Sequence, residues 1–136
     1  MGETQKASRL EIAQAFVMHV GHRDFDRGMS LLSPTVSYKV VGYRGLEQGL
    51  SGCEAVTKHL IELAERTGGA FESLKWEDWL VGGDHIAVIA KILIEVSGQR
   101  VVTSVLFLIR FDADDKIAEL IVFPEDVRSI ERVLGA

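Results

Sequence analysis

The chain has 136 residues, against a prior of roughly 150 residues per domain, and reads as one domain over 1–136 with residues 1–7 expected to be disordered. Fifteen Lys and Arg against twenty Asp and Glu give a formal charge of -5, the wrong sign for a protein that gains affinity by neutralising nucleic-acid phosphates. Lone Cys53 makes neither an internal disulfide nor a thiolate metal site, no apolar run approaches the roughly 20 residues of a membrane span, and residues 1–9 lack a signal peptide's apolar stretch, so a cytoplasmic protein without membrane or nucleic-acid partners is expected.

The first helix is expected to open at Ser8, because Ser8-x-x-Glu11 is a capping box, and Ala13, Phe16, Val17 and Val20 then form an inward stripe that Gly21 stops. Asp24 opens a short second helix through Phe25, Met29 and Leu32, closed ahead of Pro34. A strand over Val36–Val41 runs into the glycine-rich segment 42–49, read as a mobile loop. Ser51-x-x-Glu54 repeats the capping box and starts a third helix with Val56, His59, Leu60 and Leu63 on one stripe, ended by Gly68-Gly69.

Four β-rich runs follow, Phe71–Val81, Ile86–Val96, Arg100–Phe111 and Lys116–Phe123, separated by Gly- and Asp-rich turns in the manner of an antiparallel meander. Pro124 permits a final short helix through Val127, Ile130 and Val133. Helices first and a curled sheet after them describe an α+β fold with helices covering one sheet face.

A two-residue turn at Gly98-Gln99 pairs Ile94 with Thr103, Ile92 with Val105 and Ala90 with Phe107 on one face. The other face mixes Ile89, Leu93, Leu106 and Leu108 with polar residues, which suits a homodimer interface better than water. Trp76 and Trp79, three apart, are expected on opposite strand faces.

This order of elements resembles the cone-shaped nuclear transport factor 2-like, or cystatin-like, fold and within it the SnoaL-like proteins. The residues that carry the resemblance are Leu31-Leu32-Ser33-Pro34-Thr35-Val36 before the first strand and Gly45-x-x-x-Gly49-x-x-Gly52-x-x-Ala55-Val56 into the third helix. Asp115-Lys116-Ile117-x-Glu119 followed by Phe123-Pro124-Glu125-Asp126 completes it. The resemblance implies N-terminal helices on a curved, mainly antiparallel sheet around an apolar cone, and covers nearly the whole chain. Its members include polyketide cyclases, ketosteroid isomerases and limonene epoxide hydrolases, so fold alone leaves the function open.

By similarity to the ketosteroid isomerases, the oxyanion-binding tyrosine matches Phe16, the acid that shares its task matches Phe107, and the general base matches Lys39, which argues against that reaction. The limonene epoxide hydrolase acids fall where this chain reads Leu120-Ile121-Val122 and Ile89-Ala90-Lys91, which hold no carboxylate.

Candidate chemistry rests on few groups. Lys39, if desolvated in the cone, becomes a base or amine nucleophile, whereas the inward alternation of Val36, Tyr38 and Val40 sends it to solvent. Tyr38 can act as an acid or anchor a core contact. Asp126 is either an acid or the cap of the last helix. The expected ligand wall comprises Phe16, His59, Ala90, Ile92, Ile94, Thr103, Val105, Phe107 and Phe123, with no metal or cofactor implied. These residues suit a cyclase, isomerase or hydratase acting on an apolar multi-ring, terpenoid or polyketide compound. The alternatives are a non-catalytic binder of an apolar ligand and an interaction subunit.

Overall fold

The computed structural model describes residues 3–46, 48–67 and 72–135. Helices α1 (Glu3–Gly21) and α2 (Phe25–Ser30) lead into strand β1 (Leu32–Val40), then the short β2 (Leu50–Ser51) and helix α3 (Cys53–Thr67). The strands β3 (Glu72–Val81), β4 (His85–Val96), β5 (Gln99–Phe111) and β6 (Ile117–Pro124) follow, and α4 (Val127–Leu134) ends the described chain.

One six-stranded sheet has the order β2-β1-β6-β5-β4-β3. β3 to β6 form the expected antiparallel meander, while β1 lies parallel to β6. The β1–β6 register shifts between Leu32 and Ser37, around Pro34, which has no backbone N–H to give the ladder.

Strand alternation sorts the sheet into two faces. Ile86, Val88, Ala90, Ile92 and Ile94 of β4 are buried, as are Val101, Thr103, Val105, Ile109 and Phe111 of β5, and all of these except Val88 and Thr103 share one core with Ala13, Phe16, Val56 and Ile130 of the helices. A buried arginine ties the first helix to two hairpin turns. Arg9 Nε donates to Asp115 Oδ1 at 2.8 Å and its two terminal nitrogens donate to the carbonyls of Gly83 and Asp112, each at 3.2 Å. Three hydrogen-bonded contacts satisfy a guanidinium that burial would otherwise penalise.

Several local expectations change. α1 begins at Glu3, so residues 3–7 expected to be disordered are helical and Ser8 lies within the helix; residues 1 and 2 lie outside the described ones. Ser51 pairs with Ser37 in β2, and it is the Gly52 carbonyl that accepts the first helical bond of α3, from Val56 N–H at 3.1 Å. The β4–β5 turn is Ser97-Gly98, with φ of 52° and 82°, as a type I′ turn requires at both central positions.

That turn pairs Ile94 with Val101, Ile92 with Thr103, Ala90 with Val105 and Val88 with Phe107. The change from the expected pairing is an even number of residues, so every side chain keeps its face. In the backbone ladder Trp76 pairs with Ala90 and Trp79 with Val88, and the register shifts between Trp76 and Asp78. Trp79 packs against the core, and the side chain of Trp76 lies outside the described ones.

Candidate functional site

The inner face is not filled at its β1 end. A cavity of about 130 Å³ lies between α1, α3 and the sheet, floored by Tyr38, Leu120 and Ile109, which are successive partners across β1, β6 and β5. Phe16, Val17 and Val20 of α1 form one wall and Leu60, Leu63 and Ala64 of α3 another, with Ile92 and Phe107 rising from the sheet. Gly21, Arg23 and Phe25 stand at the turn between the first two helices, where exposed Gly21 and Arg23 mark the mouth. The lining is almost wholly apolar. Among its described residues there is no carboxylate and no lysine.

Tyr38 brings the one hydroxyl among these lining residues and is 8% exposed. Burial pushes its phenol well above the usual range, with the neighbouring Tyr43 adding to the effect, so it remains a hydrogen-bond donor throughout the physiological range. Gly49 permits the chain to lie against this strand. Its φ is +75°, and a Cβ there would sit 2.7 Å from the Tyr38 carbonyl oxygen.

His59 packs on Tyr38 with ring centroids 5.2 Å apart and planes tilted by 47°. Partial burial lowers its pKa, opposed by the nearby Glu62 carboxylate, so the imidazole is neutral at pH 7.

The expected site residues divide into four groups. Phe16, Tyr38, Ile92 and Phe107 line the cavity, and His59 stands beside it on Tyr38. Ala90, Ile94, Thr103 and Val105 are buried in the adjoining core rather than on the cavity wall, and the Thr103 hydroxyl has no hydrogen-bond partner among the described residues. Lys39 is exposed opposite Ile121, because Tyr38 occupies the inward register beside Leu120 and the next residue must face outward. Phe123, opposite Leu106, shares that outer face and is 40% exposed.

Asp126 is the N-cap of α4. It accepts from Ser129 N–H at 3.1 Å and Ser129 Oγ at 2.7 Å, and these bonds hold its carboxyl below the usual range. Lys39, Phe123 and Asp126 are therefore all outside the cavity. The wall residues not singled out from sequence include Ile109 and Leu120, legible only as alternating strand residues, and Arg23, for which the sequence offered no periodic signal.

Phe16 and Phe107, at the positions matched to the isomerase oxyanion donors, face the same cavity and offer no side-chain donor. Among the described residues no three His, Cys, Asp or Glu side chains converge as a metal site requires. No helix among them is long and apolar enough to cross a membrane.

Comparison with known proteins fits this geometry. No curated protein is significantly similar in sequence. A protein of unknown function with a cystatin-like fold from Xanthomonas campestris superposes with a TM-score of 0.84 at 22% identity, over 94% of this chain and 98% of that one. A candidate SnoaL-like polyketide cyclase from Jannaschia sp. CCS1 gives 0.78 at 20% identity, over 98% and 94%. An LEH-like epoxide hydrolase from M. tuberculosis gives 0.76 at 19% identity, over 94% and 90%. At these identities the likeness concerns the fold. The SnoaL-like domain model matches residues 13–120, and the chain therefore belongs to the SnoaL-like domain family.

Proposed function

We propose that this chain is a small-molecule pocket protein whose cavity takes one compact apolar ring and fixes an acceptor oxygen of that compound on the Tyr38 hydroxyl. The observation that carries this reading is a buried phenol in an apolar chamber of about 130 Å³. That volume is close to the roughly 150 Å³ of an engineered apolar cavity able to hold benzene. It supports a one-ring occupant in place of the multi-ring compound that the resemblance implies. The likeness to an LEH-like epoxide hydrolase and to a candidate polyketide cyclase supports a terpenoid or polyketide-derived ring as the chemical class.

Binding is the part of the reading that the wall supports best, since no described lining residue carries a carboxylate or amine to serve as a strong base. A second reading, a cofactor-independent isomerase, cyclase or hydratase, is favoured by the contact between Tyr38 and neutral His59. There Tyr38 polarises a carbonyl or ring oxygen as the acid and His59 takes up a proton as the base. Lys39 and Asp126 have no part in it. A second copy of the chain over the outer sheet face, in a reducing cytoplasmic setting, completes the proposal.

The test compares one-ring ketones with the corresponding hydrocarbons by calorimetry and thermal shift. Ketones are expected to bind more tightly, and Tyr38→Phe to reduce that preference by about 1 kcal/mol while hydrocarbon binding persists. Failure of every one-ring compound to bind at millimolar concentration overturns the pocket reading. Turnover of any member that is lost in both Tyr38→Phe and His59→Gln supports the enzyme reading over the binder.

A further inference from the structure

The mouth of the cavity carries a residue that helix formation alone does not explain. At the end of α1, Asp24 N–H donates to the His19 carbonyl at 2.8 Å and Arg23 N–H to the Val20 carbonyl at 3.0 Å. These are the paired bonds of a Schellman motif, whose C′ residue adopts the left-handed conformation and is usually glycine. Here that residue is Arg23, with φ of 61°. Gly21 lies two positions too early, inside the helix. A long side chain thus occupies the one position of the turn where glycine is least strained.

Arg23 is exposed, yet it lines the cavity mouth beside Gly21 and Phe25. It is the one charged side chain among the described lining residues. The adjacent carboxylate, Asp24, is engaged by Arg27 at 3.3 Å, and the Arg23 guanidinium makes no ion pair with a described residue. The chain as a whole carries a charge of -5, which repels anions, so a lone guanidinium at the opening sets a local preference against the average field.

Building on the pocket reading above, we propose that the occupant is a compact cyclic carboxylic acid, its ring in the apolar chamber and its carboxylate on Arg23. The planar guanidinium presents donors in a fork that matches a carboxylate, which a hydrated point charge does not. The chamber holds no second described cation, so the charged end stays at the mouth and the buried end is neutral. Tyr38 at the floor then receives an uncharged oxygen substituent or the ring itself. Because Arg23 is exposed, its effect is modest and salt-sensitive.

The experiment titrates phenylacetate, 3-phenylpropanoate and 4-phenylbutanoate, each beside its primary amide, into the full chain and into Arg23→Gly and Arg23→Lys. The series removes dependence on one spacing between ring and carboxylate. Arg23→Gly supplies the residue that the turn favours, so its melting temperature should hold or rise, which separates lost binding from lost fold.

At low salt at least one acid is expected to bind about fivefold more tightly than its amide. The preference should shrink with added salt, fall in Arg23→Lys, and vanish in Arg23→Gly while amide binding persists. Equal binding of acids and amides, or a preference that survives Arg23→Gly, overturns the carboxylate assignment and leaves the pocket reading standing. Failure of acids and amides alike overturns both.

Discussion

The two faces of the sheet are built from the same strands and largely the same aliphatic residue types, yet one is closed and the other bare. On the inner face Ile86, Val88, Ala90, Ile92 and Ile94 lie beneath the helices and are at most 4% exposed. On the outer face Ile89, Leu93, Leu106 and Leu108 are half-buried, while Leu80, Val102 and Phe123 are 55%, 46% and 40% exposed. Alternation assigns a residue to a face, and only a packing partner makes that face a core. The inner face finds its partner within the chain. The outer face has an apolar surface of the kind that marks an interaction site, and the partner proposed for it is a second copy of this chain.

The largest expected effect breaks that comparison directly. Light scattering at micromolar concentration should give the mass of a dimer, and Leu106→Glu, which places an unpaired charge at the centre of the outer face, should give monomer or aggregate. A monomeric unmutated protein would refute the proposed interface.

Next in size is Val105→Trp on the inner face. Val105 is 2% exposed and stands outside the cavity wall, so the larger ring overpacks a filled core and should cost about 1–3 kcal/mol in chemical denaturation. An unchanged stability would mean that the cavity extends further along β5 than its lining indicates.

A smaller effect of opposite sign is expected at Thr103. Its buried hydroxyl lacks a hydrogen-bond partner among the described residues, so Thr103→Val should raise stability by about 1 kcal/mol, read as a higher melting temperature. A loss of stability would show that the hydroxyl contributes a contact the inner face depends on.

The smallest effect concerns acid. The folded-state pKa of His59 lies below its unfolded value near 6.5, because burial disfavours the imidazolium, so the unfolded chain takes up the proton first. Stability should therefore fall as pH drops below about 6.5, until the folded value is also passed. His59→Gln should flatten this segment of the melting-temperature profile. A profile identical to that of the unmutated chain would exclude His59 as its source.

Much of the element order is legible in the residues because its signals are short-range. The meander announces itself through β-branched runs broken by Gly and Asp turns, and the final helix through Asp126 and the spacing of Ile130 and Val133. Capping motifs were a weaker guide. Ser8-x-x-Glu11 lies inside α1 and Ser51 pairs in β2, since a Ser-x-x-Glu spacing also arises within a longer helix or beside a strand. The hairpin register turned on two φ angles at Ser97 and Gly98 that hydrophobic alternation does not specify.

For the candidate site, alternation alone put Tyr38 inward and Lys39 outward, and the pattern of α1 and the strands brought Phe16, Ile92 and Phe107 to one face. Alternation says which side a residue takes, not how far along it lies, and so did not separate Ala90, Ile94, Thr103 and Val105 in the filled core from Ile109 and Leu120 on the cavity wall.

By itself, then, the sequence determined the periodicities, the succession of helices and strands, and the side of the sheet on which most residues stand, because these depend on backbone geometry over a few residues. Tertiary structure alone decided that β1 runs beside β6, that Arg9 joins two distant turns, and that Arg23 stands at the mouth of a chamber floored by Tyr38. A cavity is the space left between elements far apart in the chain. Its size depends on how closely those elements approach, and no local pattern records that distance.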